Sequence, residues 1–183
     1  PIVSEKNSIG KYPRIGWGIN DYDLFNEAKL QIKEFQKDNN KPFALFISTV
    51  NTHFPNGIYD KRMEKFISKK NNHFEFSVSA VDWLINDFLL YLKVNNLLKN
   101  TVIYIFPDHK LMGSSGVVHN KLRKSTRQLY LLTNAKENKL LKKTSDTIYQ
   151  IDLPRMIVDG AQIKTNATFL VDYLKNRKVN EFL

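Results

Sequence analysis

The chain has no cysteine. A disulfide scaffold, a thiolate metal site and a cysteine nucleophile are therefore excluded. It also lacks a long apolar run. The best stretches, Phe43–Ile47 and Val102–Phe106, fall far short of the ~20 residues that cross a bilayer, and both read as buried strands. No signal-peptide pattern opens the sequence. Because the first residue is Pro1, the chain is expected to be a processed product or an excised piece. Acidic residues are scarce, with 18 Asp and Glu against 28 Lys and Arg, and the formal charge is +10. That balance favours anionic partners: phosphates, anionic lipid headgroups or nucleic acid. Neither an RNP-like strand nor a helix-turn-helix pattern accompanies the charge, so nucleic acid is not the expected partner. The densest clusters, Lys121 to Arg127 and Lys136 to Lys143, read either as solvated surface or as a basic face near anionic lipid. A nucleophile elbow, a P-loop, a dinucleotide fingerprint and internal repeats are all absent.

What is present is a rhythm of short apolar runs and amphipathic stretches over 183 residues, enough for one domain or a large part of one. Asn20 suits an N-cap, with Asp21 and Asp23 in a favourable first turn. Leu24, Ala28, Ile32 and Phe35 then recur at helical spacing, and Asn39, Asn40 and Pro42 stop the helix. Phe43–Val50 (FALFISTV) reads as a strand buried on both faces. Asp60 to Asn72 reads as a charged linker. Val78, Val81, Leu84, Ile85, Phe88, Leu89 and Leu92 form the apolar stripe of a long helix that Asn95 and Asn96 break. Thr101–Phe106 and Gln128–Thr133 are further strand candidates. Asp152, Pro154 and Gly160 mark the start, first turn and end of a short helix. The alternation predicts an α/β fold with a mostly parallel sheet. In such folds ligands bind beyond the carboxyl ends of strands. Two chemistry-bearing segments, Thr52-His53 and Asp108-His109, stand at such ends.

Asp108 and His109 are a carboxylate and an imidazole that both suit a borderline cation such as Zn²⁺ or Mn²⁺. The bland alternative is a capping Asp beside a surface His. His53 either donates to a phosphate oxygen or hydrogen-bonds its own loop. His119, next to Lys121 in space of two residues, is a third polar group of the same pocket or a surface residue. Trp17, flanked by Gly16 and Gly18, is either a lid packed on the core or a ligand platform. His73 reads as surface.

Taken in order, these segments resemble the sulfatase-like branch of the alkaline phosphatase superfamily. Within it they are most similar to the bacterial phosphoglycerol transferases that modify periplasmic glucans and to the related lipoteichoic acid synthases. The likeness rests on Trp17-Gly18-Ile19-Asn20-Asp21, on Lys41-Pro42-Phe43 through Thr49-Val50-Asn51-Thr52-His53-Phe54-Pro55, on Asn100-Thr101-Val102-Ile103 leading to Asp108-His109, and on Ile151-Asp152-Leu153-Pro154. The resemblance implies a three-layer α/β/α fold with a mostly parallel sheet. It implies Asp108 and His109 as metal ligands, with Mn²⁺ or Zn²⁺ favoured over Mg²⁺. It puts His53 and His119 on the substrate phosphate or headgroup, with Trp17 and Arg14 lining the headgroup pocket.

The family's first metal ligand and its nucleophile lie ahead of the WG-x-x-D segment, and neither Ser4 nor Ser8 has the expected surroundings. Residues 1–183 are therefore expected to be the C-terminal portion of one sulfatase-like catalytic domain, inactive alone and completed by an N-terminal part of the same protein. The implied reaction moves a phosphoglycerol headgroup from an anionic phospholipid to a glycan or polymer acceptor. The implied location is the extracytoplasmic face of a bacterial membrane, with the anchor outside this chain. The alternatives are a sulfatase or phosphodiester hydrolase of the same superfamily, and a non-catalytic α/β module that binds anionic lipid or glycan.

Overall fold

A computed structural model describes residues 11–37, 41–53, 55–109, 131–134 and 148–174. These fall into two compact units that divide between Leu97 and Leu98.

The first unit opens on a two-residue hairpin. Strand β1 (Arg14–Ile15) pairs antiparallel with β2 (Gly18–Ile19), in the register Arg14 to Ile19 and Ile15 to Gly18. Gly16, at the first turn position, has φ +51°, which the tight hairpin turn demands and an L side chain resists. Helix α1 (Asp21–Lys37) follows and starts where the sequence places it. The Asn20 side chain accepts the Tyr22 N–H at 3.1 Å, satisfying one orphan donor of the first turn. Helix α2 (His73–Val94) begins one turn before its apolar stripe, because Asn72 caps it through the Phe74 and Glu75 N–H groups. It closes with Asn96 at φ +62°. Leu97 N–H donates to Leu92 and Asn96 N–H to Lys93, a Schellman closure in which asparagine takes the left-handed position.

Helices α1 and α2 pack together around Phe25, Met63, Phe76, Ala80 and Leu84, with Ile47, Tyr59, Trp83 and Phe88 against them. Tyr59 stacks on Phe76 at 4.1 Å and Phe66 on Trp83 at 4.2 Å. The expected charged linker is not a linker. It folds as a 3₁₀ helix at Lys61–Lys65, capped by the Asp60 side chain, and it drives Met63 fully into the core. Arg62 clamps this turn to the start of α1. Its guanidinium donates to both oxygens of Asp23 at 2.8 and 2.9 Å and to Asp60 at 2.9–3.1 Å. This charged turn thus takes part in burying two carboxylates, Asp23 and Asp60, and one thioether.

The second unit contains β3 (Tyr104–Ile105), β4 (Leu132–Thr133), α3 (Leu153–Gly160) and α4 (Leu170–Leu174). Strands β3 and β4 are antiparallel, Tyr104 facing Thr133 and Ile105 facing Leu132. Asn134 extends the ladder through the Ile103 N–H and the Thr101 carbonyl. Leu153, Met156 and Val171 are buried, and the Tyr104 hydroxyl donates to the Met156 carbonyl at 2.7 Å. Helix α3 ends at its expected stop, Gly160. The left-handed residue is Gln162, φ +55°, two positions on.

The expected three-layer arrangement over a mostly parallel sheet is not what the described residues show. Their only ladders are two antiparallel pairs of two residues each. Phe43–Val50, expected as a strand buried on both faces, has no assigned secondary structure and no ladder among the described residues. Ile47 turns into the core while Phe46 on the opposite face is 78% exposed. A strand becomes a sheet only when neighbours take its N–H and C=O groups, and here no described segment does so. No helix among the described residues is long and apolar enough to cross a membrane.

Candidate functional site

In the first unit, the loop after Phe43–Val50 is compact. His53 N–H donates to the Val50 carbonyl at 3.0 Å, Gly57 N–H to that of His53 at 3.0 Å, and Ile58 N–H to that of Asn51 at 2.7 Å. Gly57, at φ +67°, sits so close to α2 that a Cβ there would meet Ser77 Oγ at 2.7 Å. The Ser77 hydroxyl lies 2.9 Å from the Ile58 carbonyl and 2.8 Å from that of His73, tying the far end of the loop to the helix.

The near end of the loop is tied by a buried carboxylate. Asp21 has no exposed surface, and its two oxygens accept the N–H groups of Val50 (2.7 Å) and Asn51 (3.0 Å). Asn51 is buried as well. Its side chain accepts the Asp21 N–H and donates to Asn20, each at 3.2 Å. Burial raises the Asp21 carboxyl to about 6. The two backbone donors oppose that shift and the charge of Asp60 adds to it.

This arrangement brings two of the sequence-predicted residues together. The rings of Trp17, in the β1–β2 turn, and His53 lie 5.2 Å apart at 31°. Trp17 is 73% exposed, so it is not a lid packed on the core. Arg14 stands exposed on β1. An indole beside an imidazole on an exposed edge offers an apolar face and a proton donor, the combination that suits a polyol phosphate. Sequence reasoning passed over Asp21 and Asn51 as elements of this site. It read Asp21 only as a favourable first-turn charge, although a carboxylate and an amide at the two ends of adjoining elements are the signal for such a tie.

In the second unit, Asp108 and His109 follow β3. The Asp108 side chain is 85% exposed and that of His109 about half. Asp108 Oδ1 accepts the His109 N–H at 2.8 Å, and Oδ2 lies 3.5 Å from His109 Nε2. Two donor atoms bound to one tetrahedral ion at its usual ligand distances stand about 3.4 Å apart. The pair therefore fits one divalent cation as two of its ligands. No group of three or more metal-ligating side chains occurs among the described residues, so the shell is incomplete. The Gln150 amide donates to the Asp108 carbonyl and fixes the backbone of the pair. An open groove of about 420 Å³ lined by Arg155, Asp159, Ile163, Lys164, Thr165 and Asn166 touches none of the predicted residues. His119 lies outside the described residues.

The Sulfatase family profile matches residues 3–173. This chain belongs to the sulfatase family. Membership gives it the α/β class and places it among generally metal-dependent enzymes, in keeping with the Asp108–His109 donor set. The sulfatase chain is 31% identical over 106 residues to phosphoglycerol transferase I of Citrobacter koseri and, at the same level, to that of Escherichia fergusonii. It is 30% identical to that of Escherichia coli. In each case the matched stretch is 56% of this chain and 14% of the relative. No solved structure matches it.

Proposed function

We propose that this sulfatase-family chain is part of a metal-dependent phosphoglycerol transferase, which moves a phosphoglycerol headgroup from an anionic phospholipid to a glycan or polymer acceptor. The observation that carries this reading is the similarity to phosphoglycerol transferase I of two genera, at 31% identity. The donor spacing at Asp108 and His109 supports it, as does the Trp17–His53 pair. Asp108 and His109 would hold a divalent cation, Mn²⁺ or Zn²⁺ before Mg²⁺. Bound there, the cation supplies charge neutralisation for a phosphodiester and activation of a hydroxyl. His53 donates a hydrogen bond to a phosphoryl oxygen, and His119 contributes to binding the same headgroup. Trp17 offers its face to the glycerol, and Arg14 draws the phosphate by charge.

On this reading residues 1–183 are the C-terminal portion of one catalytic domain. The nucleophile and the remaining metal ligands belong to an N-terminal part of the same protein, which lies at the extracytoplasmic face of a bacterial membrane and is anchored outside this chain. The lack of a ladder along Phe43–Val50 among the described residues supports a partner of that kind, since strands from the rest of the domain would pair with it. Nucleic acid is not a partner. The test is metal content. The chain equilibrated with Mn²⁺ or Zn²⁺ is expected to bind weakly and without turnover of a phosphodiester, and Asp108→Ala with His109→Ala is expected to abolish that binding. Equal metal content in parent and double variant refutes the metal assignment. Turnover by the isolated chain refutes the missing nucleophile.

A further inference from the structure

We propose that Asp21 is the positioning residue of the candidate substrate edge: its carboxylate holds the His53 loop by two backbone N–H groups and so keeps His53 beside Trp17. The proposal rests on the reading that Trp17 and His53 meet the substrate. The two rings come from separate segments, one from the β1–β2 turn and the other from the loop after Phe43–Val50. What joins these segments is a closed set of bonds. Asp21 takes the Val50 and Asn51 N–H groups, while Asn51 returns bonds to the Asp21 N–H and to Asn20. Gly18 completes the approach, since a Cβ at that position would already touch Val50 Cγ1 at 3.4 Å.

A carboxylate is a costly choice for this place. No cation pairs with Asp21 among the described residues, and the nearby charge named with it, Asp60, is of like sign. Burying an unpaired charge is costly, so folding alone favours an apolar group. What the carboxylate does that asparagine cannot is accept at both oxygens. Asparagine would turn its NH₂ on one of the two backbone donors and push that donor away. Retaining a costly group where only its double acceptor character is used marks a position shaped by the site it holds.

The test reads the ring pair directly, at about pH 8, where the Asp21 carboxyl is ionised. Nuclear Overhauser contacts between the Trp17 indole protons and the His53 ring protons are expected in the parent chain, and His53→Ala is expected to remove them. Asp21→Asn is expected to cut their intensity about twofold or more with helical circular dichroism unchanged. A folded Asp21→Asn chain with the full contact intensity overturns the proposal. Should that variant fail to fold, amide resonances of the parent chain decide. The Val50 and Asn51 amides must both shift with the Asp21 carboxyl titration, and amides indifferent to it overturn the proposal. The substrate reading is tested separately by adding glycerol 3-phosphate. Trp17 resonances indifferent to it, with ring contact and clamp intact, count against the substrate reading and leave the positioning role standing.

Discussion

Replacing Arg62 by methionine keeps most of the apolar stem and removes the guanidinium fork. The fork serves two carboxylates at once. Asp23 and Asp60 keep only 10% and 5% of their side-chain surface in water, whereas the Arg62 side chain keeps 44%. Truncating one partner of a buried ion pair leaves charge without compensation, at about 3–5 kcal/mol. The exposed half of Arg62 already interacts with solvent, which places the expected loss near the lower end, about 3 kcal/mol. Urea unfolding of parent and Arg62→Met at pH 7 should show that gap. A gap under about 1 kcal/mol would refute the reasoning, because the clamp would then be a surface pair of the ordinary weak kind.

Asp21 gives a second pH-dependent prediction. Its carboxyl sits at about 6 in the folded chain against an ordinary value of 3.8, so protonation favours the folded state. The stability bound up in that shift, at most about 3 kcal/mol, is present near pH 4 and lost as pH rises through 6; denaturant titrations should show the slope in the parent and not in Asp21→Asn. Gly57→Ala forces a Cβ against Ser77 Oγ at 2.7 Å and the Phe74 backbone at 3.0 Å, at positive φ. It should cost about 1–3 kcal/mol and lower the thermal midpoint. Met63→Ala opens a cavity at a fully buried position and should cost about 2–5 kcal/mol by urea unfolding.

The two long helices were legible because periodicity and caps are local. Asn20 declares the start of α1 and a run of asparagines closes α2 through Asn96, whereas the Asn72 cap went unread at the end of the expected linker. The segment Asp60 to Asn72 was misread for the converse reason. Its charges look solvated in sequence, and only the fold reveals that Arg62 neutralises Asp23 from 39 positions away while the next residue, Met63, is buried in the core. The sheet was legible as strands and not as pairing. Strand character resides in Phe43–Val50 itself, but pairing needs a neighbour, and the chain spans only 14% of the relatives it matches.

The site divides along the same line. His53, Trp17, Asp108 and His109 could be named from residue type and from their place at the ends of strands. Asp21 and Asn51 could not, since what makes them matter is a set of backbone bonds between segments about 30 residues apart in sequence. Chemistry that touches a ligand is written in residue identity; the geometry that aims it is written in contacts between segments. The residues that aim His53 are thus the ones a sequence hides, and Asp21, whose burial costs stability, is where substitution should separate the fold from the site.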